Sequence, residues 1–378
     1  MPSTSLGRSE AHPAPAVSGW QPALALLIAA ALLAAALGGL LRAGASGLNV
    51  GALQGSHLLA QAASAHAMLM FTGFLGSLIS LRHALAVQRR WAFAAPLAAV
   101  GSAILLLGGQ LEAGALLGLL AALVFIAIHL ALRPRRNTAY SVLMLLAALV
   151  WLIGNALFAV GIAGSAVLPW WFAMPILSIT AERLLMSGMM RRHATALPIL
   201  AALVPMLLGG AALSIRAGAL GGVIFGTALM ALALWLAVFD NTRQTLFKAG
   251  LPRYMAWSMV AGQAWLALAG LAWMGTALGC PGRDLALHAL GLGFILSLVM
   301  GHAPVIVPAM ARIRLHFSAF LYLPLLVLHG SLLLRLVGGI GHPELRAAGT
   351  SANLVAVLVF VVTLAASARP LRSGRRSA

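Results

Sequence analysis

Two histidines inside long apolar segments are the residues of this chain best suited to chemistry. His66 lies in the apolar segment 57–81, and His288 lies in the segment 285–308. Ionisable side chains at membrane depth are rare unless they have a function or a partner. Both histidines are expected in the outer half of their spans, where imidazoles on facing helices can ligate one haem iron from its two sides. The alternative is two unrelated histidines, each packed against its own neighbour.

The residues after His66 favour a flat ligand beside the helix. His66, Met70, Gly73 and Ser77 follow one another at helical spacing, so they share one face of the segment. The small residues on that face are expected to leave room beside the imidazole. The other interpretation is a histidine that is hydrogen-bonded to a neighbouring helix.

His302 and His329 are further candidate ligands or proton-relay residues. His302 lies about four turns and about 21 Å beyond His288 on nearly the same helix face, so one metal ion cannot contact both. Pro304 and Pro308 follow it and are expected to kink or end the helix. His302 could instead cap the carbonyl groups that these prolines leave free. His329 lies near the middle of the eleventh apolar segment, so it must find its partner inside the bundle.

A proton or ion path could use Glu182 and Arg183, which are adjacent in the segment 167–190. Neighbouring residues on a helix point about 100° apart, so each side chain is expected to meet a different helix. Structural ion pairs between helices are the alternative. Asp240 stands at a helix end and is expected to be interfacial.

Other chemistries have little support in the sequence. The chain has one cysteine, Cys280, which excludes a disulfide framework and a CxxC metal motif. Asp and Glu number only 6 in 378 residues, so a paired-carboxylate mechanism is not expected. The 15 methionines, Met68 and Met70 among them, would suit copper(I), but they form no repeated series along one helix. Copper is therefore an alternative metal without placed ligands.

The composition predicts an all-α, polytopic transmembrane helical bundle with about twelve spans. Hydrophobic residues make up 62% of the chain and charged residues 8%, with a mean hydropathy of +1.01. A soluble domain carries roughly 25% charged residues, so most of this surface is expected to face lipid. Continuous apolar runs of roughly 20 residues must be helices, because no water is present to satisfy the backbone. The segments are 22–41, 57–81, 91–110, 113–132, 139–161, 167–190, 196–215, 219–239, 254–278, 285–308, 317–338 and 350–368.

The basic residues of the connectors predict an orientation. Most Lys and Arg residues fall on one side, and the alternate connectors hold only Arg42, Arg216, Arg283, Arg335 and Arg346. Basic connectors stay in the cytoplasm, so we expect a multi-pass protein of the cell inner membrane with both termini cytoplasmic. This bias accounts for the net charge of +18, so the expected partner is the lipid bilayer and not nucleic acid.

Three parts of the chain are distinguished by composition. Residues 1–21 form a polar N-terminal tail, residues 22–368 form a single transmembrane bundle domain, and residues 369–378 form a basic cytoplasmic tail.

The topology and two short motifs resemble the NnrS family, which is similar in plan to subunit I of the haem-copper oxidases and nitric oxide reductases. The motifs are HAMLMFTGFL, which begins at His66 in the second segment, and HALGLG, which begins at His288 in the tenth. The resemblance covers the topology of the whole chain. It implies that haem is held between helices two and ten by His66 and His288. It also implies a link to nitric oxide or respiratory metabolism and a membrane redox partner.

The copper centre of that plan has no counterpart in this chain. The tenth segment has no His-x-His pair, and the seventh has no His-His pair. The sixth has no histidine followed four residues later by tyrosine. Because the three-histidine copper centre cannot be placed, the resemblance implies haem binding without turnover of oxygen or nitric oxide.

Three functions stand as hypotheses. The first is a haem-binding membrane protein. The second is a secondary transporter or channel-like protein in which Glu182, Arg183, His302 and His329 form a path near the midplane. The third is a membrane assembly subunit without chemistry of its own. The sequence indicates neither a substrate nor an oligomeric state.

Overall fold

The computed structural model describes residues 20–44, 56–132, 138–162, 164–186, 194–311 and 313–370. Twelve long helices fill this described part, and each coincides with one predicted apolar segment. They are α1 Trp20–Arg42, α2 57–87, α3 Arg90–Leu107, α4 Leu111–Leu132, α5 Thr138–Ala159, α6 Leu168–Met186, α7 Ala196–Leu213, α8 Gly218–Phe239, α9 Leu251–Ala277, α10 Arg283–Ala311, α11 Ala319–Gly338 and α12 Pro343–Ser367. Most of the two predicted tails and the arginine-rich connectors 133–137 and 187–193 lie outside the described residues.

Eleven of these helices are long and apolar enough to cross a membrane. The exception is α6, which carries Glu182 and Arg183 and is buried along most of its length. Large apolar side chains remain exposed on the outside of the bundle, including Leu26 at 72%, Leu326 at 67% and Val362 at 65%. An exterior of this kind is stable against lipid and not against water. The protein is therefore a multi-pass membrane protein built as an all-α bundle.

Small residues allow the helices to pack closely. At the crossing of α8 and α9, a Cβ added to Gly226 or Gly270 would lie 2.7 Å from the carbonyl oxygen of the other glycine. Glycine lets the two backbones approach where no other residue fits, which agrees with the expected role of small residues in the spans. The first and last helices also touch, because Leu40 of α1 packs against Leu354 of α12.

The connectors are short, and two of them contain notable features. Strand β1 (Ile313–Leu315), which follows α10, pairs antiparallel with β2 (Ala368–Pro370), which follows α12. This small ribbon is an addition to the predicted all-helical architecture. Cys280 is exposed in the connector between α9 and α10.

The prolines of α10 do not end the helix. It continues through Pro304 and Pro308 as far as Ala311, so of the two expected effects, a kink or an end of the helix, the end does not occur. A membrane helix tolerates proline because neighbouring groups satisfy the carbonyls that lose a donor.

Three π-helical segments interrupt the regular helices of the described part. They are Leu69–Gly76 in α2, Ala289–Leu296 in α10 and Leu333–Gly338 in α11. A π-helical turn holds an extra residue, so the side chains beyond it are rotated about the helix axis relative to a regular α-helix. Such turns occur often at functional sites.

Candidate functional site

A cavity of about 740 Å³ lies between α1, α2, α6, α10, α11 and α12. It lies at the end of the bundle where α1 ends and α10 begins. Its wall is mainly apolar, and its polar lining includes both His66 and His288. Small-molecule sites in proteins are clefts of roughly 300–1,000 Å³ with mostly apolar walls and a few polar groups. The cavity therefore has the size and the lining of a ligand site.

The imidazole of His66 is held by the backbone of α1. Its Nδ1 donates a hydrogen bond of 2.6 Å to the carbonyl oxygen of Ala35. Gly39, one turn further along α1, packs against the ring, because a Cβ added there would lie 2.7 Å from Cε1 of His66. With the proton on Nδ1, the lone pair is on Nε2, which is the nitrogen that could ligate a metal.

The imidazole of His288 is held from within its own helix. Its Nδ1 lies 3.0 Å from the carbonyl oxygen of Asp284 and 2.9 Å from its Oδ1, one turn earlier. Both acceptors place the proton on Nδ1, so Nε2 again has the lone pair. Nη2 of Arg335 lies 3.3 Å from each ring nitrogen. Because Nη2 is equally far from both ring nitrogens, it lies to the side of the Nε2 lone pair and not along it. The contact with Arg335 therefore leaves this lone pair accessible.

A buried hydrogen-bond network supports His288 from behind. Arg335 donates to both carboxylate oxygens of Asp284, through Nη2 over 2.6 Å and through Nε over 3.0 Å. Its Nη1 donates to Oδ1 of Asn353 over 3.2 Å, and Asn353 Nδ2 donates to Ser331 over 2.6 Å. The network joins α10, α11 and α12. Arg335 was counted above as a connector charge, and this is wrong because its side chain is only 8% exposed inside α11.

Aromatic rings form one wall of the cavity. Phe71 stacks on Trp171 with ring centroids 5.8 Å apart, and it meets Phe172 edge to face at 4.7 Å. Trp171 Nε1 donates to the side-chain oxygen of Asn155 over 2.9 Å. Asn155 is fully buried and in turn donates to the carbonyl oxygen of Gly118 over 2.8 Å. This amide orients Trp171 and joins three neighbouring helices.

Each of the three π-helical segments contributes to the cavity lining. Leu69–Gly76 begins three residues after His66 and supplies Phe71, while Ala289–Leu296 begins directly after His288 and supplies Gly291. The third contains Arg335. Within the described residues, the π-helical segments therefore all lie beside this cavity.

The predicted face of α2 is only partly correct. Met70 lines the cavity with His66, but Gly73 packs against Ala103 of α3, and Ser77 is fully buried outside the cavity lining. The π-helical segment rotates these residues away from the imidazole. Gly73 thus serves helix packing, and the space beside His66 is bounded by larger side chains.

His302 and His329 lie apart from the cavity. Nδ1 of His302 donates to the carbonyl oxygen of Leu298 over 2.7 Å. His329 accepts a hydrogen bond of 2.9 Å from Trp265 Nε1 at its Nδ1, and the two rings are nearly parallel. Neither histidine lines the cavity. Of the four candidate ligands, the structure brings together only His66 and His288.

Glu182 and Arg183 point to different helices, as expected. Glu182 pairs with Arg82 of α2 and accepts a hydrogen bond of 2.9 Å from Tyr140 of α5. Arg183 pairs with both carboxylate oxygens of Asp240, at 2.8 and 2.6 Å. Asp240 stands at the end of α8, as expected, and its side chain is buried within the bundle.

These contacts give no support to the proposed path for protons or ions. Glu182, Arg183 and His329 each have a fixed partner, and neither they nor His302 contact the cavity. The arrangement favours structural ion pairs and hydrogen bonds at these four positions.

Sequence reasoning missed Asp284 and Arg335 at the cavity and Arg82 beside Glu182. Asp284 precedes His288 by four residues, which is the spacing of neighbours on a helix, so its contact could have been found. Arg335 and Arg82 lie near predicted segment ends and were treated as connector charges. Their burial depends on where the helices end, which a hydropathy pattern locates poorly.

The residues at the cavity fit a haem better than a bare metal ion. In the described part of the chain, no group of three or more His, Cys, Asp or Glu side chains could hold a metal ion, so copper remains without ligands. Two imidazoles with accessible Nε2 atoms suit the two axial positions of a haem iron. The aromatic wall suits a flat macrocycle, and the guanidinium groups of Arg42 and Arg283 suit its carboxylates.

The chain belongs to a protein family defined by sequence. The profile of the family described as "Domain of unknown function (DUF8744)" matches residues 22–369, which is nearly the whole chain. No curated protein matches it.

Proposed function

We propose that this member of the DUF8744 family binds one haem between His66 and His288 and does not turn over a gaseous substrate. The observation that carries the proposal is the shared orientation of the two imidazoles. Each lines the same cavity, and each uses Nδ1 as a hydrogen-bond donor, so that Nε2 can ligate. The resemblance to the NnrS family supports the same assignment.

The chain's own residues would determine what such a haem could do. A bound haem supplies one-electron chemistry. His66 and His288 would both hold the iron, so neither ligand position would be left to oxygen or nitric oxide. The apolar and aromatic wall would contact the faces of the ring, and Arg42 and Arg283 would contact its carboxylates at the end of the bundle. We infer electron transfer or sensing, with a membrane redox partner as the source or the acceptor of the electron.

We also propose the orientation and the location of the bundle. All twelve helices, α6 included, span the bilayer, and both termini are cytoplasmic in the cell inner membrane. The basis is the excess of Lys and Arg in alternate connectors. In this orientation the cavity lies in the outer half of the membrane.

The test is an absorption spectrum of the protein purified in detergent from cells with ample haem. We expect a Soret band, which His66→Ala and His288→Ala each abolish or reduce at least tenfold in intensity. His302→Ala and His342→Ala are matched controls, because one removes a buried imidazole outside the cavity and the other removes an exposed one. Both controls should keep the band.

Two results would contradict the proposal. One is a colourless wild-type protein, and the other is a Soret band that survives in both cavity variants. A colourless protein that co-purifies with a stoichiometric partner would favour the assembly-subunit hypothesis instead. Proton-coupled uptake in vesicles, lost on Glu182→Gln, would favour transport.

A further inference from the structure

The two histidines of the cavity differ in the acceptor that each imidazole meets. His66 donates to a neutral backbone carbonyl, that of Ala35. His288 meets a carboxylate, with its Nδ1 2.9 Å from Oδ1 of Asp284. A carboxylate that accepts the Nδ1 proton raises the basicity of a metal-ligating imidazole, whereas a carbonyl mainly fixes its orientation.

The carboxylate of Asp284 is held in place and cannot rotate freely. Arg335 contacts both of its oxygens, and this bidentate arrangement fixes the carboxylate plane. Arg335 is itself fixed by Asn353. The Asp284 side chain is 35% exposed, so the buried guanidinium and the imidazole cover about two thirds of it. Contacts among α10, α11 and α12 therefore fix the position of the Asp284 carboxylate relative to His288.

The surroundings of His66 contain no comparable acid. The charged side chains that act on it are those of Arg42 and Arg335, both of them basic. Arg335 also lies 3.3 Å from both ring nitrogens of His288, so the difference between the two imidazoles is the carboxylate that His288 contacts.

We propose that Asp284 is a positioning residue that makes His288 the stronger of two unequal axial ligands and thereby stabilises the oxidised iron. The inference rests on the proposed haem site. It goes further by assigning a role to a residue at the cavity that is not one of the two proposed ligands. His66 is then the weaker ligand and the one that an added ligand displaces first.

The experiment measures the midpoint potential and the ferric haem affinity of Asp284→Asn, which keeps the shape and removes the charge. We expect ferric affinity to fall about tenfold relative to ferrous affinity, since second-shell partners of metal-bound histidines typically contribute 10–100-fold. A tenfold change in that ratio raises the midpoint potential by about 59 mV. The matched control is Glu112→Gln, which removes an exposed acid outside the cavity lining and should leave both values unchanged.

A second measurement keeps Asp284 intact in case the Asn variant does not fold. Imidazole is titrated into His288→Gly and His66→Gly in the presence of added haem, and recovery of the Soret band reports its binding in place of the deleted side chain. Imidazole should bind about tenfold more tightly in His288→Gly, because there it can donate to the carboxylate.

Each outcome bears on a different statement. Equal imidazole affinities in the two variants, or an Asp284→Asn protein with the potential and affinity of the Glu112→Gln control, would overturn the role of Asp284 while haem binding stands. A wild-type protein without a Soret band overturns the haem site itself.

Discussion

Gly39 sets how closely α1 approaches the imidazole of His66. A Cβ at this position would lie 2.7 Å from Cε1 of the ring, closer than carbon atoms in contact allow. The ring could relieve the contact only by moving away from the carbonyl oxygen of Ala35, to which it is hydrogen-bonded. Gly39 therefore belongs to the site although it has no side chain.

Gly39→Ala should weaken haem binding and leave the bundle folded. We expect haem affinity to fall at least tenfold. Loss of a group that orients a metal-bound histidine typically lowers affinity 10–100-fold, and a displaced His66 ring should have a similar effect. The measurement is a haem titration of the purified protein. Gly209→Ala in α7 is the matched control, because a Cβ added to Gly209 would have no neighbouring atom within 4 Å. Equal affinities of the two variants would mean that the ring of His66 is not held as described.

At the residue scale, the sequence could identify His66, His288 and, from its four-residue spacing, Asp284, but not the partners that other helices supply. An imidazole in an apolar segment is conspicuous because few groups there are ionisable. The carbonyl oxygen of Ala35 carries no signal in a sequence at all. Arg335 carries a misleading one, because an arginine near the end of an apolar segment is more often a connector charge.

The pair of Arg183 and Asp240 fixes α6 against the end of α8. Its two hydrogen bonds, of 2.8 and 2.6 Å, lie in a buried region where Asp240 is 7% exposed. Removal of one partner from a buried ion pair leaves an uncompensated charge, whereas replacement of both by apolar groups is often neutral. A single substitution in this pair and a double substitution are therefore expected to differ in their effect on stability.

Arg183→Met should destabilise the bundle by about 3–5 kcal/mol, and Arg183→Met with Asp240→Leu should recover most of that loss. The measurement is unfolding in mixed micelles with increasing dodecyl sulfate, followed by helix content. Glu344→Gln removes one partner of the exposed pair with His342 and should have little effect. An ion path through Arg183 would instead leave stability nearly unchanged in the single variant.

At the element scale, the existence of the helices was predictable and their internal irregularities were not. Long apolar runs must be helical in lipid, so all twelve segments correspond to helices. The π-helical segments lie in helices that are apolar on nearly every side, so no periodic pattern reveals the extra residue. That is why the expected face of His66, Gly73 and Ser77 was wrong beyond Met70. Helix ends are a separate difficulty, because α2 continues to residue 87 and so includes Arg82, which hydropathy places in a connector.

At the scale of the whole molecule, the proposed orientation places the connector that contains Lys248 inside and the connector that contains Cys280 outside. The basis is again the alternation of basic connectors. The cavity lies at the same end as Cys280, because Arg283 at the start of α10 lines it.

A fluorescent protein that matures only in the cytoplasm should report this orientation. Chains truncated and fused after Lys248 should be bright in intact cells, and chains fused after Cys280 should be dark. A phosphatase that folds only outside the cytoplasm should give the opposite result at the same two positions. Bright fluorescence at both positions would mean that α9 does not cross the membrane.

Cys280 is the only thiol in the chain, and it stands exposed just ahead of Arg283, which lines the cavity. A thiol-reactive dye can therefore be attached at Cys280 without removing another cysteine or introducing a new one. Porphyrins absorb blue light strongly, so a blue-emitting dye would dim as the cavity filled and brighten as it emptied. The natural sequence thus offers a single attachment point for an optical sensor of the cavity's occupancy.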